Sequence, residues 1–202
     1  MSNKIIVICG GASTGKDTTM RLLKEKFPKF QTCVSHTTRP MRKGETEGVE
    51  YYFTEDSQFE AMYDSGQFIE IRDYTVITDE GESKWYYGLS ESEVTSKLKQ
   101  GHILVILDLN GLKELKEYYF DSEVEVMAFY IDVDMDTRIK RYLSRDDITL
   151  PMVKECVRRL EKDELDFEGV HNYATVINNP PTSEMTAYAI ENYLVNRGLK
   201  LN

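Results

Sequence analysis

One stretch constrains this chain more than any other: Cys9-Gly10-Gly11-Ala12-Ser13-Thr14-Gly15-Lys16-Asp17-Thr18. It follows Ile5-Ile6-Val7-Ile8, an apolar β-branched run that predicts a buried parallel strand. It precedes a helix predicted over 18–26, with Met20, Leu23 and Phe27 on one face and Pro28 beyond its end. Strand, glycine-rich turn, lysine and helix in that order turn the bare spacing G-x-x-x-x-G-K into a phosphate-binding loop. Glycines let backbone N–H groups converge on an anion, and the helix N-terminus adds positive field. Lys16 supplies a point charge for the outer phosphates. The alternative, an ordinary turn into a helix, is disfavoured because both flanks fit the phosphate loop.

The residue after the lysine is Asp17, where such loops usually place Ser or Thr for magnesium. Two readings stand: Thr18 supplies the hydroxyl, or Asp17 works on the metal's water shell. A second apolar strand, predicted over 103–108, closes in Asp108. An acid at that position in a phosphate-loop protein sits near the magnesium and can hold its waters. The competing reading is a strand-end cap on a turn.

Charge narrows the ligand. The net charge of the 202 residues is −10, which argues against nonspecific nucleic-acid or anionic-membrane binding. A polyanionic ligand must therefore meet a local cluster of positive charge. Residues 36–43 supply one, with Arg39, Arg42 and Lys43 and no acid. Pro40 stiffens the turn between the two arginines, which suits bidentate grip of a phosphate; a solvated basic loop is the alternative. Hydrophobic residues make up 41%, enough for one core with small insertions. Cys9, Cys33 and Cys156 have no metal spacing and point to buried thiols in a reducing cytoplasm. A signal-peptide pattern and a run long enough to span a bilayer are both lacking.

The other elements follow from periodicity and turn residues. Strands are predicted over 30–34, 48–53, 68–71, 124–131 and 173–179, and helices over 57–63, 91–100, 112–120, 136–143, from 149 onward, and over 183–195. In the strand at 68–71, Glu70 is set among apolar neighbours, and burying it is costly unless something donates to it.

Ser35-His36-Thr37-Thr38-Arg39-Pro40, then Arg42, Gly44-Glu45 and Gly48-Val49-Glu50-Tyr51-Tyr52-Phe53, resemble the monophosphate-binding segment of guanylate kinases. With the phosphate loop and the later segments in the family's order, the resemblance covers nearly the whole chain. It implies an α/β P-loop nucleoside monophosphate kinase fold, with a parallel-sheet core (1–34, 88–137 and 166–202), a monophosphate-binding part (35–87) and a lid (138–165). It implies ATP bound by Gly11 to Thr18 and by Asn178, with Mg²⁺ held by Asp17, Thr18 and Asp108, partly through water. Arg39, Arg42, Tyr51 and Tyr87 would hold the phosphate of GMP, and Glu45 would orient an arginine. Ser35 and Glu70 would read guanine, since Glu70 can accept from N1–H and the 2-amino group while Ser35 donates to O6. Asp108 and Asn110 would border the base. Five arginines (Arg138, Arg141, Arg145, Arg158 and Arg159) flank the lid turn. Arg141, Arg145 and Arg159 match the family's phosphate arginines best, and with Lys16, Arg39 and Arg42 they form the expected catalytic set.

Three departures accompany the resemblance. The segment between Glu70 and Tyr87 is longer than usual, and 74–78 and 83–86 read as a β-hairpin around an acidic turn at 79–82. It either decorates the substrate part or reshapes the base pocket. Leu89 stands where the family has a hydroxyl residue, a loss of about 1 kcal/mol. Asn110 stands where it has a second Asp. Asp17 and Leu89 also resemble ribose 1,5-bisphosphate phosphokinases, which lack the base-reading Glu and the full phosphate segment. A kinase of another deoxynucleoside monophosphate, and a guanylate-kinase-like binding module for phosphopeptides, are the further alternatives. The module is disfavoured by the intact loop and lid arginines.

Overall fold

Every residue of Ile5–Cys9 is buried in the computed structural model, and this strand, β1, is the centre of the main sheet. The structure describes residues 3–42, 44–78, 81–144 and 148–199. In chain order after β1 come α1 (Lys16–Lys26), β2 (Gln31–Thr32), β3 (His36–Thr37), β4 (Tyr52–Phe53), α2 (Asp56–Asp64), β5 (Phe68–Thr78) and β6 (Gly81–Ser90). They are followed by α3 (Glu91–Leu98), β7 (Ile103–Ile106), α4 (Leu109–Tyr118), β8 (Val126–Asp132), α5 (Met135–Leu143), α6 (Leu150–Asp166), β9 (Thr175–Asn178) and α7 (Ser183–Asn196).

The main sheet has the order β2-β7-β1-β8-β9, parallel throughout. A strand buried on both faces cannot alternate apolar with polar, hence the unbroken run in β1. Its residues divide by parity. Ile5, Val7 and Cys9 join Val105, Leu107, Leu112 and Ala128 on one face, and Ile6 and Ile8 join Leu23, Phe30, Leu104, Phe129 and Ile190 on the other. The helix face expected from Met20, Leu23 and Phe27 packs into this second cluster.

The second sheet has the order β4-β3-β6-β5 and is drawn from residues 36–90. The strand expected at 68–71 and the hairpin expected at 74–86 are one structure here. β5 and β6 pair antiparallel from Phe68 opposite Ser90 to Thr78 opposite Gly81, with a register shift between Phe68 and Glu70. The hairpin turn at 79–80 lies outside the described residues. The aromatic strand expected over 48–53 is shorter, confined to Tyr52–Phe53, with a single bridge from Glu47 to Tyr51.

Side-chain caps start most helices. Ser90, Asp108, Asp134, Thr149 and Thr182 accept from the backbone at the heads of α3, α4, α5, α6 and α7. α1 starts differently. Its N-cap is Gly15, left-handed at φ 94°, with no side-chain cap, so the amides of its first turn are unclaimed by any capping side chain.

Candidate active site

The glycine-rich loop runs from the end of β1 into that uncapped turn. Ser13 (φ 61°) and Gly15 lie in the left-handed region, which bends the loop into a nest of N–H groups. A Cβ on Gly15 would stand 2.6 Å from the Ser183 hydroxyl, which would have to turn away. Lys16 donates its Nζ to the Gly11 carbonyl at 2.8 Å. Burial pushes the Lys16 ammonium below its ordinary value, while Asp17 and Asp163 oppose that shift. Asp17 and Thr18 are exposed at the head of α1.

The acceptor side is organised by Arg39, 3% exposed, which grips Glu45 with both arms, Nη1 to Oε2 at 2.9 Å and Nη2 to Oε1 at 2.8 Å. Its guanidinium lies over the Tyr51 and Phe53 rings, and Glu45 also accepts the Arg42 amide at 2.7 Å. Arg39 holds Glu45 below the usual carboxylate range, so the pair stays charged. Tyr87 meets Tyr51 and Tyr74 edge-on at 5.6 and 5.4 Å between ring centroids. Burial pushes the Tyr51 and Tyr74 hydroxyls up, so both remain donors at neutral pH. The expected phosphate residues Arg39, Arg42, Glu45, Tyr51 and Tyr87 thus form one neighbourhood. Lys43 lies outside the described residues.

Glu70 is 1% exposed, and neither carboxylate oxygen has a hydrogen-bond partner. Desolvation pushes it up to about 7, opposed chiefly by Arg72 and reinforced by Asp108 and Glu114. A buried carboxylate whose oxygens meet no donor at hydrogen-bond distance is costly, even with the Leu89 amide nearby, and a ligand edge carrying two donors would satisfy it. Ser35 is buried too; extending the β3–β6 register by one residue sets it level with Leu89, which pairs with Glu70. Leu89 itself faces no open pocket. It is fully buried with Ile69, Val94, Leu107 and Leu112, so core packing replaces the missing hydroxyl.

Asp108 realises the cap reading: Oδ1 accepts the Gly111 amide at 2.8 Å, while Oδ2 faces Arg72 at 3.5 Å and the Tyr74 hydroxyl at 3.4 Å. No cluster of three metal-ligating residues exists among the described residues. That donor set fits a magnesium held mainly by phosphates and water, which needs no protein cage. Asn110 is exposed in the first turn of α4 and lines a cleft of about 420 Å³ with Arg72, Tyr74, Asp108, Lys113 and Lys162. Tyr74 comes from the extra hairpin, so the hairpin contributes to the wall of this cleft.

The lid arginines separate. Arg141 points its Nη1 at the Ser13 and Thr14 carbonyls, at 3.4 and 3.3 Å. Arg159 does not reach the loop; it pairs with Glu155 at 2.7 Å, as does Arg158. These arginines, Arg158 first, hold Glu155 down at about 2. Arg145 lies outside the described residues. Two residues that sequence reasoning did not select do reach the loop. Arg138, buried, donates Nε to the Ala12 carbonyl at 2.9 Å and pairs with Asp163, whose Oδ2 accepts the Ala12 amide at 2.7 Å. Asn178 is exposed at the end of β9, level with Asp132.

Comparison with known proteins bears on the family and the fold. The sequence model of the family described as guanylate kinase matches residues 2–194. A guanylate kinase of Chlorobium luteolum is 32% identical over 198 residues, covering 95% of this chain and 92% of the relative. One of Enterococcus faecalis is 27% identical over 179 residues, covering 88% and 82%. The crystal structure of a guanylate kinase from Anaplasma phagocytophilum superposes with a TM-score of 0.69 at 23% identity, over 98% of this chain and 88% of that one, which supports the fold. Family match, relatives and fold agree, and the chain belongs to the guanylate kinase family.

Proposed function

We propose that this protein transfers the terminal phosphoryl group of MgATP to GMP or dGMP, giving ADP and GDP or dGDP. The observation that carries the reading is Glu70, buried with both oxygens unpaired, beside the Arg39–Glu45–Tyr51–Tyr87 set. Guanine offers N1–H and a 2-amino group side by side, whereas adenine would leave the carboxylate desolvated and unpaired. Sites of this kind discriminate by about 10⁴ or more. A ribose bisphosphate has no base edge for Glu70 to bind, so this residue separates the two readings.

On the donor side, the first-turn amides of α1 and Lys16 bind the ATP phosphates, and Arg141 and Arg138 approach from the lid. Asn178 lies by the adenine. On the acceptor side, Arg39, Arg42, Tyr51 and Tyr87 fix the acceptor phosphate, with Arg39 held rigid by Glu45. Asp17 and Thr18 would hold Mg²⁺, with Asp108 acting through water; the metal supplies charge neutralisation at the transferring phosphates. No side chain needs to act as a nucleophile, because phosphoryl transfer is mostly positioning and charge stabilisation. Residues 35–87 and 138–165 close over the core and exclude water, which prevents idle hydrolysis of ATP. The free thiols fit a reducing cytoplasm, and burial pushes Cys9 and Cys33 up to about 12, so neither is a nucleophile.

The test is mutational. Lys16→Ala or Arg42→Ala should abolish GMP-dependent ATP consumption while circular dichroism shows the fold intact. Normal turnover in either variant would sink the assignment.

A further inference from the structure

Arg72 belongs to neither the phosphate set nor the lid, yet it lies at the centre of the acceptor cleft. Its side chain is 17% exposed, two residues beyond Glu70 on β5. Its guanidinium lies 3.8 Å from Glu70 Oε2 and 3.5 Å from Asp108 Oδ2, at ion-pair rather than hydrogen-bond distance. A donor fork and a pair of orphaned acceptors therefore lie side by side, almost buried, too far apart to satisfy each other. Arg72 borders the same cleft as Asp108 and Asn110, and Glu70 lies behind it, against Gly111 at the head of α4. Buried polar groups are rarely left in this state without a partner still to come.

The sheet register orders these groups. Glu70 pairs with Leu89, level with Ser35, and Arg72 pairs with Tyr87, two residues further along the same strands. Ser35 thus lies on one side of Glu70 and Arg72 on another, toward the phosphate-binding tyrosines. Along guanine, the two donors taken by Glu70 are flanked by an acceptor at each end, O6 and N3. With Ser35 at O6, the remaining acceptor is N3, on the side of the base that leads to the sugar.

We propose that Arg72 is a specificity-determining residue of this enzyme, its guanidinium donating to N3 of the guanine base that Glu70 holds by N1–H and the 2-amino group. The inference rests on GMP as the acceptor. Arginine suits the role because its planar fork reads base acceptors while staying charged when desolvated. It also offsets the negative charge of Glu70 and Asp108, which opposes the upward push of burial on the Glu70 carboxyl and so favours its acceptor form. Glu114 on α4 adds negative charge near Glu70, and Lys113 and, on α6, Lys162 and Asp166 border the cleft.

The experiment compares GMP with 3-deazaguanosine 5′-monophosphate, in which N3 is C–H, and uses the 7-deaza analogue, altered on the far edge, as a control. In the unmodified protein kcat/KM should fall about 10- to 100-fold for the 3-deaza analogue, mostly through KM, and little for the 7-deaza analogue. In Arg72→Met that 3-deaza penalty should vanish, because the donor is gone. Arg72→Lys keeps the charge between Glu70 and Asp108, so the fold survives if the Met variant does not; it should retain part of the penalty. Equal turnover of GMP and its 3-deaza analogue by the unmodified protein overturns the proposal without any variant. So does an undiminished penalty in Arg72→Met or, where that variant is unfolded, in Arg72→Lys. An unmodified protein that turns over ATP with no guanine nucleotide at all overturns the acceptor assignment, and this inference with it.

Discussion

Glu70 serves binding at the expense of folding. In the unfolded chain its carboxyl has an ordinary value near 4.5, and in the fold burial pushes it up to about 7. The raised value means that the fold prefers the protonated form. Glu70's contribution to stability is present in full below about pH 4.5 and is lost as pH rises through about 7, a swing of about 3 kcal/mol. Guanine needs the opposite state, since only the carboxylate accepts two hydrogen bonds. Glu70→Gln should therefore be about 3 kcal/mol more stable than the parent in urea melts at pH 8, with the gain fading by pH 5. The same change should cost kcat/KM for GMP at least about 100-fold at pH 8. Equal stability at pH 8 would contradict the burial argument. Residues of this site were legible to different degrees. Arg39 and Glu45 lie six residues apart, so a local motif discloses their pairing. Arg72 sits mid-strand in a polar-looking stretch, and only the folded register reveals that it is buried beside Glu70. Asp108 offers two readings from sequence, a metal acid and a strand-end cap, and the fold shows the cap and the Arg72 contact.

At the scale of elements, the head of α1 carries no side-chain cap, as its proposed phosphate role requires, and α5 and α6 are pinned to the loop before it. α5 supplies Arg138 and α6 supplies Asp163, and together they bracket Ala12 through its carbonyl and its amide. These partners are 25 and 151 residues apart in sequence, and lid arginines look alike on paper, so no spacing rule could select Arg138 over Arg159. Removing one member of a largely buried ion pair leaves the other uncompensated. Asp163→Ala should therefore lower stability by about 2 kcal/mol, less than a fully buried pair, and raise KM for ATP severalfold. Hydrogen exchange should quicken at the Ala12 amide and along the last turns of α6, while β1 and β7 stay protected. Unchanged exchange at Ala12 would show that the contact does not fasten the lid. The β5–β6 pair teaches a related lesson. Arg72 and Asp73 interrupt the apolar alternation, so the sequence reads as a strand followed by a separate hairpin, although backbone pairing is continuous through them. The continuity brings Tyr74 to Asp108 and beneath Lys162 of α6, joining the hairpin to both the cleft and the lid.

The whole molecule carries a net charge of −10 and must take up two phosphorylated ligands. On the proposed reading it does so by concentrating cations, with Lys16, Arg138 and Arg141 on the donor side and Arg39, Arg42 and Arg72 on the acceptor side. The fold class was legible because β1, the glycine loop and α1 form one contiguous signal, whereas specificity depends on contacts between β5, α4 and α6 that no contiguous stretch contains. Ligand-induced stability tests this division. A ligand that binds only the native state stabilises it by about 2.7 kcal/mol at a hundred times its Kd. For a chain of this length that shifts Tm by about 5–10 °C. With a non-hydrolysable ATP analogue present, GMP and dGMP should each add a shift of that size. AMP, dTMP and ribose 1,5-bisphosphate should add almost none at the same concentration, because none brings two adjacent donors to Glu70. The arginine–tyrosine phosphate set is common to all five trials, so the difference isolates the base. A shift from ribose 1,5-bisphosphate equal to that from GMP would mean that the phosphate set alone determines the acceptor, and that Glu70 is buried for some other reason.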